Sequence, residues 1–156
     1  ATNYFQTSLD AGVKHKEEGA LSQAKEEFET ALAIATRVNR KDLTEQAQAA
    51  IAALDADEYS RLVRIGRQAA AEAQPNWAVA RKAFQDAIAF ATDNLNDEAK
   101  VGDATKMLEV LDRGFFRHQM SIGDALVKDQ KWAEAGDAYE VAKLAADCRQ
   151  PVLGWR

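Results

Sequence analysis

The side chains that could act as nucleophiles, general bases or metal ligands are few in this sequence and are separated from one another. Neither His15 nor His118 belongs to a His-Glu-x-x-His or Glu-x-x-His motif. Cys148 has no histidine at the spacing of a catalytic motif, and a single cysteine can form neither an internal disulfide nor a zinc site of paired cysteines. The sequence therefore predicts no catalytic set, no metal site and no cofactor, and we expect that the protein is not an enzyme.

The charged residues also exclude several partner classes. Twenty Lys and Arg residues against 25 Asp and Glu give a formal net charge of −5, and no block of basic residues is present. This balance argues against nucleic acid or an anionic membrane as the principal partner. No apolar run approaches the roughly 20 residues that span a bilayer, and Ala1-Thr2-Asn3 does not resemble a signal peptide. Membrane insertion is not expected, and the compartment stays open.

The elements that must position any site are helices. Alanine, the best helix former, is frequent, only two prolines interrupt the chain, and no β-branched residues alternate as in strands. Six helices are predicted, over 3–18, 22–39, 42–73, 77–93, 97–128 and 131–148. Asn76 and Asp129 stand at predicted N-caps, and the segment 42–45 has the spacing of a capping box.

One pattern occurs three times along the chain. A glycine is followed by an alanine, by an aromatic residue four positions after that alanine, and by a second alanine three positions further on. The copies are Gly12, Ala24, Phe28 and Ala31; Gly66, Ala80, Phe84 and Ala87; and Gly123, Ala135, Tyr139 and Ala142. The last three positions of each copy share one helix face, so the repetition predicts helical hairpins stacked into a solenoid, an architecture used for binding.

These motifs resemble the tetratricopeptide repeat (TPR), whose second helix carries Ala-x3-Phe-x2-Ala. Trp77 and Trp132 precede their alanines by three, where that family has a large apolar residue. The first-helix half is degenerate: Ser8, Leu62 and Gln119 stand at the family's Trp position, and the closing proline is missing. The resemblance implies an all-α fold, a right-handed α-solenoid of three antiparallel hairpins. They form a single domain over 1–156, with repeats at about 3–40, 42–94 and 96–149 and a tail at 150–156.

The repeat spacing departs from that of the family. TPR motifs repeat every ~34 residues, whereas Phe84 follows Phe28 by 56 residues and Tyr139 follows Phe84 by 55. The extra residues precede the second and third motifs and continue their apolar stripes in phase. They predict first helices of about 30 residues, roughly 45 Å long. The alternative is an additional helix in each repeat, with breaks near 56–57 and 113–114.

Both ends of the chain resemble interior repeats. The first repeat has no such extension, and no capping helix with a polar face follows the last one. Either the sequence is a fragment of a longer array, or a copy of the same protein covers the open ends. Val152, Leu153 and Trp155 fold back over the last hairpin or form a disordered tail.

The resemblance implies a ligand groove lined by first-helix residues. Eight positions are candidates for partner binding: Leu9, Val13, Val63, Arg64, Arg67, Arg113, Arg117 and Met120. Leu9 and Val13 replace a lysine and an asparagine of the members that hold a terminal carboxylate, so that specificity is not expected. The four arginines would suit an acidic peptide, because guanidinium groups pair bidentately with carboxylates. The alternative is that they pair with acids of the chain such as Asp57 or Glu109.

Two functions follow from these patterns. The first is a non-enzymatic scaffold or adaptor that binds a peptide or a helical segment of a partner protein in a TPR groove. The second is a structural unit that forms homo-oligomers by end-to-end or side-by-side packing of its repeats.

Overall fold

The computed structural model describes residues 2–147, and their side chains from residue 3 onward. Six α-helices make up this part of the chain: α1 (Thr2–Glu17), α2 (Leu21–Arg37), α3 (Lys41–Ala71), α4 (Trp77–Phe90), α5 (Glu98–Lys128) and α6 (Trp132–Asp147). A π-helical turn, Ala91–Leu95, follows α4, and residues 2–147 contain no strand. The all-α prediction is confirmed. Cys148 and the predicted tail, with Val152, Leu153 and Trp155, lie outside the described residues.

The two long helices are continuous. Both α3 and α5 comprise 31 residues, which corresponds to about 46 Å at the ordinary rise. Neither helix is interrupted near 56–57 or 113–114, and Gly66 lies inside α3. The prediction of continuous first helices is therefore confirmed, and the alternative of an additional helix in each repeat is wrong.

The predicted helix caps are confirmed only in part. The Asn76 side chain caps α4 by accepting a hydrogen bond from the Val79 amide at 3.2 Å. Asp129 does not cap α6 but ends α5, where its amide donates to Ala125 and Val127. The capping box at 42–45 is also wrong, because α3 already begins at Lys41.

Asp42 has a different partner from the one its spacing suggested. Its carboxylate accepts hydrogen bonds from Nε and Nη2 of Arg40 at 2.8 and 2.6 Å. These bonds lower the pKa of Asp42. The planar guanidinium occupies both carboxylate oxygens, so they are not left to cap the helix.

The chain divides into two compact units, with the boundary inside α3. Unit 1 comprises Ala1–Arg61 and Asp93–Asn96, and unit 2 comprises Leu62–Thr92 and Asp97–Arg156. In unit 1, α1 packs against α2, and α2 packs against the first half of α3. In unit 2, α4 packs against α5 and α5 against α6.

The extended halves of α3 and α5 contribute to the core through the stripes that the sequence showed. In unit 1, Ala47 and Leu54 are buried with Phe28, while Leu43 and Ile51 pack against that cluster. In unit 2, the buried positions are Ala104 and Leu111. The residues inserted relative to a TPR therefore form helix faces against which α2 and α4 pack.

A glycine of one helix lies directly against an aromatic ring of the next in all three motif copies. A β-carbon built on Gly66 would lie 2.6 Å from Cε1 of Phe84. Gly12 faces the Phe28 ring and Gly123 the Tyr139 ring still more closely. Because any side chain would overlap the ring, these glycines permit the close approach of the paired helices. Phe28 and Phe84 are buried as predicted, whereas Tyr139 is half-buried.

Adding a methyl group at Gly66 provides a test of this contact. We expect Gly66→Ala to lower the free energy of unfolding by about 1–3 kcal/mol, because the overlap with Phe84 outweighs alanine's better helix propensity. Gly102, in α5, has no atom within 4 Å of the built β-carbon, so Gly102→Ala is the matched control. The control is expected to gain about 0.5–1 kcal/mol from propensity alone. Urea unfolding followed by circular dichroism measures both, and equal effects of the same sign would contradict the contact.

Candidate functional site

The predicted binding residues differ in how much surface they offer to a partner. Leu9 and Val63 are buried in helix packing, so little of either side chain is left for binding. Met120 is half-buried, whereas Val13 is exposed. The four arginines are all exposed: Arg64, Arg67, Arg113 and Arg117. The exposed candidates are therefore the arginines and Val13.

One of these arginines borders an apolar groove in unit 2, between the C-terminal end of α3 and the first half of α5. The groove has a volume of about 400 Å³. Its lining consists of Arg67, Ala70, Ala71, Phe84, Lys106, Met107, Val110 and Leu111. We call it the Arg67–Lys106 groove. Val110 keeps 63% of its surface exposed, an unusual state for a large aliphatic side chain on a helix that packs on both sides.

The two cations of this groove are Arg67, on α3, and Lys106, on α5. Within residues 3–147 neither forms an ion pair. By contrast, the exposed Lys82 pairs with Asp86 at 3.0 Å, and Lys100 pairs with Asp97 at 2.5 Å. The groove thus combines apolar surface with positive charge that no described carboxylate neutralises.

The other predicted arginines lie outside the groove lining. Along α5, Arg113 and Arg117 are seven and eleven residues beyond Lys106, or about 10 and 16 Å along the helix axis. The Nε of Arg113 donates to the Glu109 backbone carbonyl at 3.4 Å. The carboxylate of Asp57, proposed above as an arginine partner, pairs with Lys16 at 2.7 Å. Lys106, which the sequence did not single out, is therefore the cation that shares a groove with Arg67.

A second groove in unit 2 is built around Trp77. Its volume is about 770 Å³. The indole lies against Gly114, where an added β-carbon would be 3.3 Å from the ring, and it makes an edge-on contact with Phe115 at a centroid distance of 5.6 Å. Its ring centroid is also 5.8 Å from that of His118. Val141 and Leu144 line the same groove, which we call the Trp77 groove.

Two buried ion pairs were missed at the level of sequence. Asp55 in α3 and Asp112 in α5 are buried, and each pairs with a cation of the preceding helix. Lys25 Nζ lies 3.1 Å from Asp55 Oδ1, and Arg81 pairs with Asp112. The signal was in the repeat: each cation directly follows the first alanine of a motif, and each aspartate stands eleven residues before a motif glycine. Reading all acids as solvated concealed it.

The remaining polar groups form local contacts. His15 is half-buried, and its Nδ1 is 3.6 Å from Glu18 Oε2, too far for a hydrogen bond. Tyr139 donates its hydroxyl proton to Asp124 at 2.6 Å, and this bond to a carboxylate raises the pKa of Tyr139. Among residues 2–147, no three His, Cys, Asp or Glu side chains are grouped closely enough to hold a metal ion.

Comparisons of the chain with protein-family models, with curated proteins and with solved structures gave no match. The resemblance to the tetratricopeptide repeat therefore rests on the residues of the chain itself. None of the helices in the described part has the length and apolar character needed to cross a membrane.

Proposed function

We propose that this protein is a non-enzymatic interaction module, a TPR-like scaffold or adaptor that binds an acidic amphipathic helix of a partner protein. The Arg67–Lys106 groove is the single observation that carries the proposal. Its apolar surface is open to solvent between two cations that have no carboxylate partner in the described chain. A free apolar surface favours association, and the cations select for acidic partners.

The architecture that we propose for this scaffold is a right-handed α-solenoid of three antiparallel hairpins. Three equivalent contacts support it: Gly12 with Phe28, Gly66 with Phe84, and Gly123 with Tyr139. Each contact joins the first and second helix of one proposed repeat at the same place in the motif. A solenoid presents first-helix residues along one surface, and Arg67 is one of them.

The chemistry of the groove fits a helix better than it fits a small polar ligand. Apolar side chains at i and i+3 or i+4 of a partner helix can enter between Ala71 and Val110. Acidic residues beside them then meet Arg67 and Lys106. Each inserted leucine-sized side chain contributes about 1.5–3 kcal/mol when fully buried. The acids add orientation and a faster encounter more than affinity.

Selection from a displayed library of helical peptides tests the proposal directly. We expect enrichment of sequences that place Asp or Glu next to apolar residues spaced by three and four. The best peptide, fluorescently labelled, is then titrated with the protein by anisotropy. A matched peptide in which lysine replaces each acid should not bind. Enrichment of basic or purely apolar peptides, or no enrichment, would contradict the proposed partner class.

Charge reversal at Arg67 is expected to weaken binding of the acidic peptide by tenfold or more, about 1.4 kcal/mol or above. Because the side chain is exposed, the melting temperature should change little. Lys128→Glu, at the end of α5, is the matched control and should leave the affinity within about twofold of the unmodified protein. Added salt should weaken binding to the unmodified protein more than binding to Arg67→Glu. An affinity that survives the double reversal Arg67→Glu/Lys106→Glu would show that the peptide binds elsewhere.

Self-assembly is the second candidate function. The observation that favours it is the exposure of two aromatic side chains, Trp132 and Tyr4.

A further inference from the structure

Two aromatic side chains are largely exposed in the described part of the chain. Trp132, the first residue of α6, keeps 65% of its surface exposed, and Tyr4, in α1, keeps 75%. An exposed tryptophan is uncommon, since burying an aromatic side chain removes about 150–250 Å² of surface from water. Their positions in the repeat show what each of them lacks.

Trp132 occupies the same position as Trp77. Each is the first residue of its helix and precedes the first alanine of its motif by three residues. Tyr4 in turn occupies the position of Phe115, because both stand eight residues before a motif glycine. Thr7 corresponds to His118 in the same way, five residues before the glycine.

Trp77 shows what this position does when it has a partner. Its indole contacts the Phe115 ring and the His118 ring, at centroid distances of 5.6 and 5.8 Å. The described chain therefore contains this contact once in complete form. It also contains the two halves of a further one: a tryptophan without the aromatic partner, and a tyrosine without the tryptophan.

A groove is present beside Tyr4 to receive an indole. It has a volume of about 570 Å³ in unit 1, and Tyr4, Thr7, Thr30, Ile34 and Arg37 are among its lining residues. We call it the Tyr4 groove. By the register of the repeats, Thr30 and Ile34 correspond to Val141 and Ala145, both of which line the Trp77 groove. The Tyr4 groove is thus the first-repeat equivalent of the surface beside Trp77.

The charges on the two surfaces are compatible. Helix α6 carries four acidic residues and one lysine, whereas the Tyr4 groove has the positively charged Arg37. The buried ion pair of the internal contacts is absent from both sides together. Gly136 stands where Lys25 and Arg81 stand, and residue 1, at the position of Asp55 and Asp112, is alanine. Docking therefore leaves no aspartate or cation buried without its partner.

We propose that Trp132 of one copy of this chain docks into the Tyr4 groove of a second copy. The interface is heterologous, since different surfaces of the two copies meet. An interface centred on one indole is smaller than the roughly 1,200–2,000 Å² of stable complexes. The association is accordingly rapid and reversible, with a dissociation constant on the order of 100 µM. It uses neither Arg67 nor Lys106 and is independent of the peptide groove.

Sedimentation velocity from micromolar to millimolar concentration tests the proposal. We expect concentration-dependent association of the unmodified chain and at least a tenfold lower association constant for Trp132→Ala. Thr30→Arg places a long cation in the Tyr4 groove and should have the same effect. Val13→Ala, which removes exposed apolar surface from α1 outside the groove lining, is the matched control and should associate as the unmodified chain does.

Mixing the two variants separates docking from general stickiness. Trp132→Ala retains a free groove and Thr30→Arg retains a free tryptophan, so each alone is monomeric and the mixture forms a one-to-one dimer. Circular dichroism confirms that both variants fold. The proposal is overturned if the unmodified chain stays monomeric at millimolar concentration, if Trp132→Ala associates normally, or if the mixture stays monomeric. Each of these results leaves the acidic-peptide measurement unaffected.

Discussion

Replacing Phe84 with alanine is expected to lower the free energy of unfolding by about 3–5 kcal/mol. Phe84 keeps only 3% of its surface exposed and belongs to the core cluster of unit 2 with Ala69, Ala80 and Leu111. Its ring lies against Gly66, which has no side chain that could move into the space. The substitution therefore removes a large buried apolar surface and leaves a cavity that the surrounding helices cannot readily fill.

Urea unfolding followed by circular dichroism provides the measurement for Phe84→Ala. Val79→Ala is the matched control, because Val79 lies on the same helix and is nearly half exposed. It should change the free energy of unfolding by less than about 0.5 kcal/mol. Phe84→Leu, which retains part of the volume, should fall between the two. A cost below about 1 kcal/mol for Phe84→Ala would contradict the packing of the second motif.

The second large effect is expected at the buried ion pair of Arg81 and Asp112. Arg81→Met keeps most of the length of the side chain but leaves the aspartate buried without its cation. We expect a loss of about 3 kcal/mol, at the lower end of the range for broken buried pairs because Arg81 is itself about one-third exposed. The double variant Arg81→Met/Asp112→Leu should recover most of the loss, since an apolar pair has no charge to desolvate.

A neighbouring ion pair is the control for this experiment. Lys82 follows Arg81 in α4 and pairs with Asp86, with 76% and 45% of the two side chains exposed. Lys82→Met should therefore cost less than about 0.5 kcal/mol in the same urea titration. If Arg81→Met costs no more than Lys82→Met, or if the double variant is as unstable as the single one, the buried pair does not stabilise unit 2.

The long helices could be predicted because helical periodicity is a local property. The apolar stripe through Leu43, Ala47, Ile51 and Leu54 continues in phase into the following motif, so a break would have misaligned the two halves. The glycines could be predicted as helical for the same reason. Local preferences were less reliable where two side chains compete. At Asp42, a nearby arginine displaced the capping interaction that the spacing suggested.

The binding residues were harder to predict, because spacing along one helix does not determine the axial offset between two helices. Arg113 and Arg117 share a face of α5, but nothing in the sequence shows which turn of α3 they lie beside. The offset in the structure brings Lys106 to Arg67 instead. Leu9 and Val63 were predicted at a surface but are buried, since a helical projection gives direction without the width of the buried face.

The ion pairs between successive helices have a consequence for recognising relatives of this protein. In a related sequence, the Lys or Arg directly after a motif alanine and the Asp eleven residues before the next motif glycine should change together, because either alone leaves a buried charge unpaired. This pair of positions is a linear signature that can be searched for without overall sequence identity. It also indicates the order in which repeats are joined, since the cation always precedes its aspartate along the chain.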